Sequence, residues 1–490
     1  MLAAIITGLA VSSVAILLFL KLGFGEAVGR WMIATGKFVA LAGDPVTDDD
    51  EKQELLNAHF GKVAGSLLGV LWRLFAWLAA LLLLLTASGL AVYYLLPSSE
   101  PQPWINRLFP GFFMEWPFII STFIPVFVAP FVLKNSGGKS SAVEDPYPPN
   151  SRMMHYIFMG NGWIARALFY LEKKLHPSIC KSNSGGSLYI SGLARAGTTV
   201  LTQLIGASDE FRSLSYRNLP FVTMPVTGPK LIPKKVNLTR ERFHRDGIQH
   251  SLESYEALEE PFWRFFSGKE YIYPDRMSPY RIDDKLYRRY LLYRNLIARG
   301  KIYLSKNNNH LLRAASLSEH EAGEGRKFLT IIPFRNPYAQ ASSLLKQHRM
   351  LSQEGSKDGF VVDYMDMLVH HEFGLNHKPQ FFTEGNLKTS ENKTDTLDYW
   401  LEVWYLYYSE VLNRYADRAG FLFFCYESFC VNPAESLARL AKASPFPDAF
   451  QAIVPPEPYP LKYLNEPVQE SKYTTLYQKL NESSINPWHG

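Results

Sequence analysis

The chain has 490 residues and a formal net charge of +5, from 51 basic and 46 acidic side chains. That length exceeds what one core fills, about 250–300 residues, so two parts are expected. The near balance of charge, with no basic run interleaved with aromatics, makes no case for nucleic acid, although the slight excess suits an anionic ligand or anionic lipid headgroups. Three cysteines, Cys180, Cys425 and Cys430, are odd in number and lack metal-ligand spacing. They argue against a disulfide scaffold and for a reducing compartment.

Three apolar stretches precede residue 135: roughly Leu2–Leu20, Ser66–Leu96 and Phe113–Leu133. Each is long enough to span about 30 Å of hydrocarbon. The first lacks a basic lead and a small-residue cleavage site, so it reads as a retained helix. Arg73, near the start of the second, can snorkel. Lys21, Arg30, Lys37, Lys52 and Lys62 lie between the first two stretches, only Arg107 between the next two, and Lys134 and Lys139 after the third. That asymmetry predicts an integral protein of the inner or plasma membrane, residues 1–134 forming the membrane region and the C-terminal part facing the cytoplasm. Sequons at Asn237, Asn392 and Asn481 leave a Golgi location open.

Residues 135–150 (NSGGKSSAVEDPYPPN) are rich in Gly, Ser and Pro and read as a linker. From residue 151 to 490 an α/β domain is expected. A lead-in helix at Gly160–Leu175 precedes strand Ser187–Ile190 and helix Thr198–Ile205. Helices at Glu253–Phe266 and Asp283–Ala298 follow. Strands Ile302–Ser305, Phe328–Pro333 and Gly420–Tyr426 then alternate with helices Ala339–His348, Thr396–Ala416 and Pro433–Ala443. Alternation predicts a parallel sheet flanked by helices, with its ligand at the carboxyl ends of the strands.

Gly192-Leu-Ala-Arg195-Ala196-Gly197-Thr198-Thr199 follows the first strand and opens a helix. Glycines let backbone N–H groups close around phosphate oxygens, and the helix N-terminus adds its dipole. A nucleotide triphosphatase needs Lys after the second glycine; here Thr198 stands there. Where such an enzyme carries a metal-binding aspartate, the strand Phe328–Phe334 runs into Arg335. A cation there meets phosphate directly, so no metal is expected.

These residues resemble the sulfotransferase superfamily, whose co-substrate is 3′-phosphoadenylyl sulfate. The first loop is similar to the family's cradle for the 5′-phosphosulfate, and Arg335-Asn-Pro-Tyr-Ala-Gln-Ala-Ser-Ser343 to its 3′-phosphate site. The resemblance implies that Gly192, Arg195, Ala196, Gly197, Thr198 and Thr199 hold the 5′ end, and Arg335 and Ser343 the 3′ phosphate. Tyr303-Leu-Ser-Lys306 is similar to a strand-end lysine segment of tyrosylprotein-type and bacterial members, which implies that Lys306 neutralises the transferring group. Phe424-Cys-Tyr426-Glu427 resembles the family's late strand and turn. The likeness covers about residues 187–445. It departs from the cytosolic branch in having Arg195 for lysine, in lacking the C-terminal adenine-binding segment, and in placing Ser215-Tyr216-Arg217 where a base is expected.

The base is therefore open. His244 and Asp246, two apart in a polar segment, suit one loop face, and a histidine near its ordinary pKa serves well as base. His370, His371 and Glu372 form a second cluster, but adjacent histidines do not share a helix face and make no zinc set alone. Glu259 and Glu260 are a third choice, and Tyr216 and Arg217 read as lining the acceptor site. The expected activity is sulfuryl transfer to a hydroxyl on a lipid, lipid-linked glycan or other envelope component, with membrane lipids as partners. A P-loop kinase or nucleotide hydrolase is the alternative.

Overall fold

In a computed structural model of the protein, the described residues are 49–95, 149–182, 185–232, 240–241, 249–250, 252–382, 394–459, 461 and 470–488, with scattered positions between 11 and 35. The chain divides into two compact units, Met1–Asn161 and Gly162–Gly490.

In the first unit, α1 (Asp49–Leu95) is a 47-residue helix. Its stretch His59–Leu84 is long and apolar enough to cross a membrane, and among the described residues it is the one helix of that kind. Phe60, Leu68, Trp72, Phe75 and Leu83 on it are exposed, as expected of a helix made for an apolar surround. The Arg73 guanidinium donates to the carbonyls of Gly69 and Leu22, both at 2.9 Å, the kind of nearby acceptor that a charge among apolar side chains requires. Of the other two expected spans, 113–133 lies wholly outside the described residues and 2–20 largely so, as do linker residues 135–148.

The second unit opens with α2 (Gly162–Leu175), followed by β1 (Ser187–Ile190) and α3 (Thr198–Gly206). Next come the short strands β2 (Phe211–Arg212), β3 (Arg240–Glu241) and β4 (Gln249–His250), then α4 (Glu260–Phe266) and α5 (Asp284–Ala298). The rest alternates: β5 (Ile302–Lys306), α6 (Ala314–Gly323), β6 (Phe328–Phe334), α7 (Pro337–Lys357), α8 (Leu397–Tyr415), β7 (Phe421–Cys425), α9 (Tyr426–Val431) and α10 (Pro433–Ala443). Last is α11 (Lys472–Glu482). Five strands form one sheet in the order β2–β5–β1–β6–β7, every pairing parallel. All four residues of β1 are buried, which is what a central strand covered by helices on both faces requires. Order reverses at β1, so the crevice beyond its carboxyl end is where such a sheet binds ligands.

One expected helix is shorter than its pattern. Residues 253–259 are not helical: Ser215 and Tyr255 form an antiparallel bridge, the Glu256 N–H donates to the Leu214 carbonyl, and α4 starts only at Glu260 with Pro261 in its first turn. Proline fits that position because the first amides of a helix have no partner there. The extended run puts Glu256 against the end of β5.

Candidate active site

The loop from Ser191 to Gly197 leaves the carboxyl end of β1 and turns into α3. Two of its features suit an anion. A Cβ at Gly192 would lie 2.7 Å from the Pro333 carbonyl oxygen, and one at Gly197 (φ +83°) 2.3 Å from the Tyr426 ring, so both positions need glycine for close approach. The N–H groups of Ala196, Gly197 and Thr198 meet no acceptor among the described residues, although Ala196 and Thr198 are buried. Amides buried without partners are costly, and an oxyanion at a helix N-terminus satisfies them. The loop carbonyls are engaged elsewhere: Gln340 Nε2 donates to those of Leu193 (3.2 Å) and Ala194 (2.9 Å). Trp404 Nε1 donates in turn to Gln340 Oε1 at 3.0 Å and fixes the amide.

Arg195 has φ +69°, a left-handed backbone that costs a residue with a Cβ about 1–2 kcal/mol. That geometry carries its side chain across to α7, where Nε donates to Ser343 Oγ at 3.0 Å. The two ends of the expected donor site therefore meet. Arg335 leaves β6 with its guanidinium 5.1 Å from the centre of the Tyr426 ring, the ring that also covers Gly197. The turn after Arg335 is braced, since the Asn336 N–H donates to the Glu427 carboxylate (2.9 Å) while Asn336 Oδ1 caps α7 at Tyr338 and Ala339. Tyr477 donates to the same carboxylate at 3.0 Å.

On the other side of β1, β5 ends in Lys306, level with Ile190. Lys306 is 7% exposed and ion-paired with Glu256, itself 7% exposed. Tyr216 Oη donates to Glu256 Oε2 at 3.0 Å. A buried lysine, a carboxylate and a phenol thus stand together one strand from the loop that follows β1. The next residues are knitted in: Asn307 Nδ2 donates to Glu260 (2.7 Å), Asn308 Nδ2 to Glu372 (2.9 Å), and the Ser191 hydroxyl to the Asn308 carbonyl (3.4 Å).

No protein-family model and no curated protein matches the chain. Among solved structures it is similar to the sulfotransferase STF1 of Mycobacterium tuberculosis H37Rv, at 16% identity over 64% of this chain and 82% of that one, with a TM-score of 0.34. It is also similar to the sulfotransferase STF9 of Mycobacterium avium, at 14% identity over 63% of this chain and 77% of that one, with a TM-score of 0.35. Values at this level carry no functional assignment, which has to come from the site.

Of the residues named from sequence, the sheet brings Gly192, Arg195, Ala196, Gly197, Thr198, Thr199, Lys306, Arg335 and Ser343 to one edge. His244 and Asp246 lie outside the described residues. Glu260 is fully engaged by Arg313, Tyr271 (2.6 Å) and Asn307. Glu259 accepts from Trp263 and from Tyr303 (2.7 Å) inside the aromatic core. His371 is held by burial down to about 3 and His377 down to about 4, so both are neutral packing groups. His370 is spent on the Ala257 carbonyl at 3.0 Å. Arg217 pairs with Glu253. Among the described residues no three His, Cys, Asp or Glu side chains gather as metal ligands. Glu256 was missed because it looked like one acidic residue in a helix; the signal was Pro261, which sets the helix start beyond it.

Proposed function

We propose that the chain is a sulfotransferase that moves a sulfuryl group from 3′-phosphoadenylyl sulfate to a hydroxyl of a membrane-associated acceptor, a lipid or lipid-linked glycan. The observation that carries this reading is the pairing of a lysine-free phosphate cradle with the buried Lys306–Glu256–Tyr216 group at the adjoining strand end. In this reading the unpartnered amides of the loop and Arg195 hold the 5′ end of the donor. Arg335 and Ser343 hold the 3′ phosphate. Lys306 neutralises the oxygens of the group in flight, a task for fixed cations in a site with little water. Glu256 accepts the proton of the acceptor hydroxyl as its oxygen bonds to sulfur, and the sulfur–oxygen bond to the 5′-phosphate breaks to leave 3′-phosphoadenosine 5′-phosphate. Tyr216 fixes the carboxylate during the transfer.

The exposed apolar helix His59–Leu84 supports a membrane acceptor, and the basic residues before it support a cytoplasmic C-terminal domain. The test is incubation of purified full-length protein in detergent with ³⁵S-labelled donor and fractionated membrane extract. Labelled product in a lipid fraction is the expected result. Absence of both product and binding of 3′-phosphoadenosine 5′-phosphate, or turnover of ATP that requires Mg²⁺, would overturn it in favour of a kinase or hydrolase.

A further inference from the structure

Apart from the phosphate cradle, the second unit contains an open cavity of about 540 Å³ beside edge strand β2. Its wall carries three guanidinium groups, Arg212, Arg217 and Arg299, and one carboxylate, Glu253. Glu253 pairs with Arg217. Arg299 donates to the Pro225 carbonyl at 3.2 Å. The Arg212 guanidinium has no hydrogen bond and no ion pair among the described residues, while its backbone pairs with β5. Burial and then the charge of Arg212 hold Arg299 below the usual arginine range, with the Glu172 carboxylate acting in the opposite sense.

Neutralisation of helix ends accounts for part of this charge. The C-terminal ends of α3 and α5, at Gly206 and Ile297, open on the cavity, and each contributes about half a negative charge. Glu172 also acts on Arg299, so the charges around the cavity come close to balance, and what its walls offer an anion is guanidinium N–H donors. Those of Arg212 meet no acceptor among the described residues, and a ligand with several acceptor oxygens satisfies them. Guanidinium groups match tetrahedral oxyanions in particular, because their parallel N–H groups bind two oxygens at once. The cavity is of the size that holds a small molecule rather than a bare ion.

We propose that this cavity is a second anion site, which binds a small molecule through a phosphate monoester group held by Arg212 and Arg299. It is separate from the phosphate cradle. Ser215 and Arg217 line it, whereas Tyr216 between them turns to Glu256 on the other side of the segment. A lipid headgroup and a soluble phosphate ester both present this chemistry.

The probe is ³²P-labelled inorganic phosphate, bound to full-length protein in detergent and measured by equilibrium dialysis. Wild type, Arg195→Ala, Arg212→Ala and Arg299→Ala are compared. Saturable binding that survives Arg195→Ala and weakens at least tenfold in Arg212→Ala and in Arg299→Ala is the expected result. This comparison does not use the sulfuryl donor, so it stands whether or not the donor reading does. Binding that Arg195→Ala abolishes, unchanged binding in Arg212→Ala, or no binding by wild type overturns the proposal. Circular dichroism of each variant, with Arg212→Lys as a second substitution, separates loss of the site from loss of fold. A second arm mixes the protein with vesicles of phosphatidylcholine containing one-fifth phosphatidic acid. Arg212-dependent binding to these, and not to pure phosphatidylcholine, identifies the source as a lipid headgroup. Phosphate binding without it identifies a soluble ester.

Discussion

Arg195 Nε donates to Ser343 Oγ at 3.0 Å across 148 residues of sequence, so the loop after β1 and the helix after β6 are joined by a side chain held in left-handed backbone. Arg195→Gly keeps that backbone without its steric cost, at the expense of about 0.5–1 kcal/mol of chain entropy. The variant is expected to melt within a few degrees of wild type while losing binding of 3′-phosphoadenosine 5′-phosphate. A large drop in Tm would show that the side chain, rather than the loop, holds this edge together.

Arg335 and Glu256 are expected to separate binding from turnover. Loss of a charge-assisted contact to a buried phosphate in Arg335→Ala costs about 2–4 kcal/mol, roughly 30-fold to 900-fold in Kd. For Glu256→Gln, kcat is expected to fall about 10²- to 10⁴-fold with little change in donor binding. Titration calorimetry with 3′-phosphoadenosine 5′-phosphate and single-turnover kinetics distinguish the two; equal losses in both quantities would contradict the division of roles.

The Lys306–Glu256 pair is buried, so removing one partner strands the other. Lys306→Met or Glu256→Leu alone is expected to destabilise by about 3–5 kcal/mol, and the double replacement by much less. Denaturant unfolding of the four proteins in the cycle measures this. The double variant should refold well and transfer nothing.

Gly197 has no room for a methyl group, with the Tyr426 ring 2.3 Å from where it would sit. Gly197→Ala is expected to lose roughly 2 kcal/mol or more of stability from strain and overlap. Adding Tyr426→Ala removes the overlap and should recover part of that loss in a melt, without recovering donor binding.

Acid should weaken the fold through His371 and His377. Burial depresses both below their unfolded value near 6.5, to about 3 and about 4. The stability they contribute is whole above pH ~6.5. As pH falls toward the folded values, the unfolded chain takes up protons that the folded chain refuses, at about 1.4 kcal/mol per pH unit for each histidine. Urea unfolding at pH 7.5, 6 and 5 should show this slope, and His377→Gln should reduce it.

The sheet was legible because its strands are short apolar runs set between glycines and helix starts: β1 and α10 fall where the pattern puts them, and β5, β6 and β7 differ only at their ends. The loop between β1 and α3 was legible because its signal is local, in glycines at fixed spacing. Other parts depended on distant partners. Strand β2 has two residues and exists only through its pairing with β5. Gln340 gave no sign that it would brace the carbonyls of Leu193 and Ala194, which lie 147 and 146 residues away. Glu256 was concealed by a local pattern that favoured helix, overridden by the bridge between Ser215 and Tyr255.

The segment Ser215-Tyr216-Arg217 serves two compartments with alternate side chains. The turn Tyr216–Asn218 is closed by a reciprocal pair of bonds between Ser215 and Asn218, so a deletion of one residue there would disturb what both compartments receive. A substitution at any of these three positions therefore bears on both compartments at once.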